Sequence, residues 1–293
     1  MPVARASERS GILWVALGAT LWGTDTVLRR PLTAHLASPR IVLYEHLILT
    51  AALFYPLWRM RRRWLKLTAR QWGALFGIAW GGSALGSICF TEAVHIGNPT
   101  TAILLQKTQP IFAAFMAWLL LREPLGRRFW ICLAAALCGA YLVNFGFSFP
   151  GAIEKRAALL AMAAAALWGS STALGRIALA GLSPFAVTAL RITLATPLLV
   201  ALNPLSNLMP PPVRYFAPLL WMALIPGLAA LLIYYHGLRN ALASRAAIAE
   251  LSFPATGAVL NWLILGARVS AAQLAGFGIL WTAILSLKGG KSK

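Results

Sequence analysis

The sequence predicts an all-α membrane protein of ten spanning helices, built as two five-helix halves that enter the bilayer in opposite directions. Three observations predict it. The 293 residues are 59% hydrophobic and only 11% charged, with a mean hydropathy of +0.73; one soluble core of this length cannot hide so much apolar surface. Apolar runs of about 20 residues, the length a bilayer demands, recur along the chain. An ordered series of short matches also repeats about half a chain apart.

The apolar runs read as 11–29, 39–58, 71–94, 99–121, 126–147, 156–178, 184–204, 213–238, 243–265 and 271–288. Breakers mark their joints: Pro31, Pro39, Pro99, Pro124, Pro150, Pro184 and the run Pro210, Pro211, Pro212. The longest pieces between them, 59–70 and 203–214, leave no room for a soluble domain. Arg5 and Arg9 before the first run resemble a secretory signal, but the run is a full span with nine more behind it, so cleavage is not expected.

The net charge is +19 and the pI about 11.3, a balance that also suits nucleic acid. The basic residues, however, sit in short tracts between apolar runs, such as "WRMRRRWLK" at 58–66. With a cytoplasmic N-terminus, most of the 26 Lys and Arg fall on the inner side, including Arg59, Arg61, Arg62, Arg63, Arg122, Arg127, Arg128 and Arg239. Fewer, such as Arg29, Arg30, Arg40 and Arg214, fall outside. That bias predicts both termini inside, membrane lipids as the surroundings, and no nucleic-acid partner. Cys89, Cys132 and Cys138 lie within apolar runs at no metal-ligand spacing, so they read as packing residues. No cofactor or metal is expected.

Leu21-Trp22-Gly23 recurs as Leu167-Trp168-Gly169, and Ser38-Pro39 as Ser183-Pro184. Phe90 matches Tyr234, Pro110 matches Pro254, and Trp118 matches Trp262, each 144 residues on. These matches divide the chain into units 1–149 and 150–293. Each unit holds five spans, an odd number, so the second must cross the membrane inverted relative to the first. Inverted repeats with a substrate site between them near mid-membrane are the plan of secondary transporters.

Ten spans, the five-plus-five repeat, "LWG" early in each half and "LLQKTQPIFAAFMAWLLLREPL" at 104–125 resemble the EamA-type branch of the drug/metabolite transporter superfamily. Within it the chain is most similar to the YddG-type aromatic amino acid exporters. Pro110, Trp118 and Glu123 match the family's mid-span Pro, its following Trp and the Glu after the fourth span. In the second half Pro254 and Trp262 match, while Ala267 stands where the family often has Glu. The resemblance implies export of small metabolites, amino acids with aromatic or other apolar side chains foremost, from a bacterial cytoplasm through the inner membrane. A lipid-headgroup flippase or a drug exporter of the same superfamily is the alternative. An intramembrane enzyme is disfavoured by the lack of H-E-x-x-H, G-x-S-x-G or a usefully spaced His/Asp cluster. "GGSALGS" at 81–87 lacks the Gly-Lys-Ser/Thr ending of a P-loop.

Four acids fall inside spans: Asp25, Glu45, Glu92 and Glu250. A charge at the bilayer centre costs about 3 kcal/mol on insertion scales, so each needs a partner, a proton or water. Asp25, Glu45 and Glu92 lie toward the outer ends of their spans, near Arg29, Arg30 and Arg40. They read either as an outer ion-pair cluster or as part of coupling or an outer gate. His46, with Arg191 opposite it by the repeat, joins that second group. Lys107 lies about 12 Å into its span by helical rise, beside Gln106 and Gln109, and Glu250 matches Gln106 in the second half. Two readings stand for these residues: a Lys107–Glu250 ion pair locking the halves, or a zwitterion site with Lys107 near the carboxylate. Trp22 and Trp168, each followed by a glycine (Gly23, Gly169) that permits close helix approach, are expected to line the path with Trp80 and Tyr234. Gly73, Gly77 and Gly81 form a small-residue face that suits contacts within a monomer, or a weak homodimer.

Overall fold

A computed structural model describes residues 5–97, 99–148, 154–253, 255, 256, 259, 260, 263 and 270–287. The described residues form helices and turns. The first span is α1 (Arg5–Trp22) and α2 (Asp25–Thr33), separated by a break at Gly23 and Thr24. Then follow α3 (Ser38–Arg59), α4 (Ala69–Ile96), α5 (Ala102–Leu121), α6 (Arg127–Phe145), α7 (Lys155–Ala178), α8 (Pro184–Leu202) and α9 (Val213–Leu238). Eight helical stretches among the described residues are therefore long and apolar enough to cross a membrane. The predicted ninth span begins with α10 (Ala243–Ala249) and a tight turn over Glu250–Ser252. Much of its remainder, including Pro254, Trp262 and Ala267, lies outside the described residues. The tenth is α11 (Ala271–Leu285), an apolar helix of 15 residues.

Local chemistry sets the boundaries. Thr68 opens α4 and Ser270 opens α11 with a capping box, each hydroxyl accepting the third N–H while Gln71 or Gln273 reaches back. Glu154 caps α7 by accepting the Arg156 and Ala157 backbone N–H groups at 3.0 and 2.5 Å. Those bonds, the Ala157 one foremost, hold its carboxyl below the ordinary carboxylate range. At the end of α5, Arg122 takes a left-handed conformation with φ of 54°, which swings Glu123 toward α10. Buried Glu123 then accepts from the Ala243 and Ser244 N–H groups at 2.8 and 2.9 Å and from the Ser244 hydroxyl at 2.6 Å. The loop carboxylate thus caps a helix more than a hundred residues away in sequence.

Helix pairing follows the sequence matches. α1 packs on α9 and α7 on α4, while α3 meets α8, α5 meets α10 and α6 meets α11. Thr50 and Thr196, one on α3 and one on α8, share a hydrogen bond of 2.8 Å. Gly23 and Gly169 permit the close approach their sequence context predicts. A Cβ on Gly23 would fall 2.6 Å from the Phe253 carbonyl oxygen, and one on Gly169 would fall 2.6 Å from that of Gln109. Gly77 and Gly81 face Leu174 and Leu167 of α7, whereas a Cβ on Gly73 would meet open space. That glycine face therefore serves contacts inside the chain.

Two stretches depart from the α-helix. Gly77–Gly86 in α4 and Ala223–Ala229 in α9 are wound as π-helix, with the wider turns that recur at functional sites. They occupy matching places in the two halves. Outside the bundle, Trp58, Trp118, Trp130 and Trp221 are about half exposed, as suits rings set against lipid.

Candidate functional site

A central cavity of about 190 Å³ runs between the helices. Its aromatic walls come in two pairs. Trp22 of α1 meets Tyr234 of α9 with ring centroids 5.0 Å apart. Trp168 of α7 meets Phe90 of α4 at 5.2 Å. The pairs are related by the sequence repeat: Trp22 matches Trp168 and Phe90 matches Tyr234. The Trp168 indole N–H also donates to the Gly82 carbonyl at 2.8 Å, inside the first π stretch. All four rings line the cavity, and Phe253 adds a fifth.

Charge enters the cavity in two clusters. In the first, Arg29 donates from Nε to Asp25 Oδ2 at 2.6 Å and from Nη2 to Asp25 Oδ1 at 2.8 Å. Its Nη2 also reaches Glu45 Oε2 at 3.3 Å, and Nη1 reaches the Thr91 hydroxyl at 3.3 Å. The predicted ion cluster therefore forms around Asp25 and Glu45. Glu92 does not line the cavity. Arg40 donates instead to the Met209 carbonyl at 2.7 Å, and the side chain of Arg30 lies outside the description.

The second cluster overturns one of the two readings of Lys107 and Glu250, the direct ion pair. The two are not within ion-pair distance among the described residues; two glutamines stand between them. The helix breaks at Lys107 and Thr108, just before Pro110. The break turns Gln106 and Gln109 toward one another, and Gln106 donates to Gln109 Oε1 at 2.6 Å. Gln109 in turn donates to Glu250 Oε2 at 2.5 Å. Glu250 Oε1 accepts from the Tyr234 hydroxyl at 2.7 Å and from Thr172 at 3.0 Å. At the far end the Lys107 ammonium reaches Gln106 Oε1 at only 3.4 Å and lies 3.3 Å from the centroid of the Phe253 ring. Lys107 and Glu250 are 4% and 5% exposed, so bulk water solvates neither.

Arg191 lines the same cavity, donating to Ser83 Oγ at 2.5 Å and to the Tyr235 hydroxyl at 3.0 Å. His46 also lines it; because a carbonyl only accepts, its Nδ1 donates to the Val42 oxygen at 2.9 Å. Trp80 does not join the site. Its side chain is 46% exposed on the outside of the bundle, with its indole N–H on the Leu194 carbonyl at 3.1 Å. Sequence reasoning missed Thr172 and Phe253. Both were findable: Thr172 follows Trp168 by one helical turn, and Phe253 matches Gln109 in the repeat. Among the described residues, no group of His, Cys, Asp and Glu is placed to hold a metal.

The arrangement offers a ring-walled chamber with buried polar and charged side chains inside an apolar bundle. Comparison with known proteins agrees with that picture. The chain is 31% identical to the riboflavin transporter ImpX of Fusobacterium nucleatum, over 94% of this chain and 97% of that one. It is 25% identical to the uncharacterized transporter YwfM of Bacillus subtilis, over 96% and 94%. A solved crystal structure shares the fold with a TM-score of 0.76 at 15% identity, covering 95% of this chain and 96% of that chain. The sequence model of the EamA-like transporter family matches residues 9–145 and again 155–287. This chain, a multi-pass membrane transporter, belongs to the EamA-like transporter family.

Proposed function

We propose that this protein is a secondary transporter that carries a planar aromatic metabolite through the central cavity by alternating access. Two inverted halves, 1–149 and 150–293, rock about the cavity, with both termini on the cytoplasmic side of a bacterial inner membrane. The ordered sequence matches, the mirrored helix pairing and the two stretches of family match support the halves. The basic tracts support the orientation.

The observation that carries the substrate class is the pair of mirrored ring contacts, Trp22 with Tyr234 and Trp168 with Phe90. A flat ring entering between them gains apolar burial plus about 0.5–1.5 kcal/mol of ring–ring contact. The name of the Fusobacterium relative makes a flavin the first ligand to test. Aromatic amino acids are the second reading, favoured by the cation and carboxylate that flank the rings at Lys107 and Glu250.

The deciding experiment uses purified protein in liposomes, with counterflow of labelled riboflavin, tryptophan and alanine measured in both directions. Exchange of riboflavin or tryptophan well above alanine is expected. Exchange of all three at one rate, or of none by folded protein, overturns the aromatic reading.

A further inference from the structure

We propose that the cavity contains an anion subsite centred on Lys107, so that a ring bearing a carboxylate or a phosphate binds in preference to the same ring without one. This deepens the aromatic reading and rests on it.

The argument is a donor and acceptor inventory. Each acid facing the cavity is answered by the protein. Asp25 takes two guanidinium N–H groups from Arg29, and Glu45 shares the same guanidinium. Glu250 takes three donors, from Tyr234, Thr172 and Gln109. Lys107 is not answered in kind. It has three N–H bonds to place, yet it meets one amide oxygen at 3.4 Å and the face of Phe253. Arg191 donates to the Ser83 and Tyr235 hydroxyls and also feels the charges of Glu45 and Glu250. Among the described residues Lys107 has no carboxylate within ion-pair distance.

The relay explains why Lys107 stays unanswered. The chain of bonds has one direction: Lys107 to Gln106, Gln106 to Gln109, Gln109 to Glu250. The carboxylate at its end fixes the amide of Gln109, which fixes that of Gln106. The amide oxygen of Gln106 is thereby held toward Lys107 while Glu250 is kept from it. A buried ammonium without a counter-ion is unfavourable. A ligand anion entering the chamber supplies that counter-ion, through charge-assisted hydrogen bonds that are about twice as strong as neutral ones. An amine has no comparable vacancy to fill.

The test compares ligands that share a ring and differ in charge, by calorimetry on the native protein in detergent. Indole-3-propionate is expected to bind at least about tenfold tighter than tryptamine, the margin of one charge-assisted hydrogen bond. Riboflavin 5′-phosphate set against riboflavin separates the two anions. A gain with the phosphate assigns phosphate, and a gain confined to the propionate assigns carboxylate. Lys107→Met should level the preference and Lys107→Arg should keep it. Equal binding of indole-3-propionate and tryptamine, or tighter tryptamine, overturns the subsite and leaves the aromatic reading standing. Binding of no indole and no flavin overturns both.

Discussion

The cluster around Arg29 and the relay from Lys107 to Glu250 bury charge along the same cavity, but they answer it differently. Around Arg29 the answer is a full opposite charge, supplied by neighbours on α2 and α3 within the first half of the chain. Along the relay the answer is neutral amides and hydroxyls, drawn from α5, α7, α9 and the turn after α10. An ion pair in a low-dielectric site is a brace that is hard to open. A string of neutral hydrogen bonds between halves can be exchanged for water or ligand at little net cost. The first cluster therefore reads as scaffold and the second as the part that responds to a substrate.

Removing the brace should have the largest effect. Arg29→Met leaves two part-buried carboxylates, with side chains 20% and 12% exposed, without their counter-ion, at a cost of up to about 3–5 kcal/mol. The protein should unfold at markedly lower temperature in detergent, and Asp25→Asn with Glu45→Gln should restore most of the loss. A single variant as stable as the parent would remove the distinction between brace and relay.

Glu250→Gln tests the other side. The new amide can accept from Tyr234 and Thr172 but turns its NH2 toward the donor of Gln109, so one buried hydrogen bond fails. A loss of about 1–3 kcal/mol is expected, together with loss of transport, because the relay loses the carboxylate that orients it. Counterflow at the parent's rate by the folded variant would show that the relay is a passive contact.

Trp22→Ala and Trp168→Ala should act on binding more than on folding. Each should weaken aromatic ligands by several-fold beyond any effect on small ones, since ring contacts add about 0.5–1.5 kcal/mol to area burial. The mirrored arrangement predicts similar losses from the two variants, which titration with a fluorescent flavin would read directly.

The smallest effect belongs to Glu154, the exposed cap of α7. Its folded-state pKa is depressed by the backbone N–H groups it accepts. Its contribution is therefore present above the ordinary carboxylate pKa and fades as pH falls through that value toward the lower folded one. Glu154→Gln should lower the melting temperature slightly at pH 7 and match the parent once pH has fallen below that depressed value.

Eight of the ten expected spans were legible because a bilayer demands long apolar runs, and the family model matches the chain twice, at 9–145 and 155–287. Trp22, Trp168 and Tyr234 line the cavity, and each belongs to one of the two ring contacts. Trp80 was expected on the path only as a ring within the third span, and the structure turns it outward, with its indole N–H on the Leu194 carbonyl. Of the two readings of Lys107 and Glu250, the direct ion pair is not formed. Comparable depth on two helices does not fix azimuth, and the break at Lys107 and Thr108 lets Gln106 and Gln109 occupy the space between.

The two π stretches carry a consequence for how this bundle tolerates change in chain length. A π turn holds more residues than an α turn over the same rise, so each stretch stores surplus chain inside a helix. Deleting one residue from 77–86 or 223–229 can be absorbed by rewinding to α geometry. Side chains beyond would then keep roughly their bearing, whereas the same deletion in a regular α-helix would rotate them by about 100°. Phe90 and Tyr234 lie just beyond those stretches, so such a deletion would keep the helices, their spans and one ring of each pair facing the chamber. The slack in α4 and α9 thus buffers the bearing of the aromatic walls.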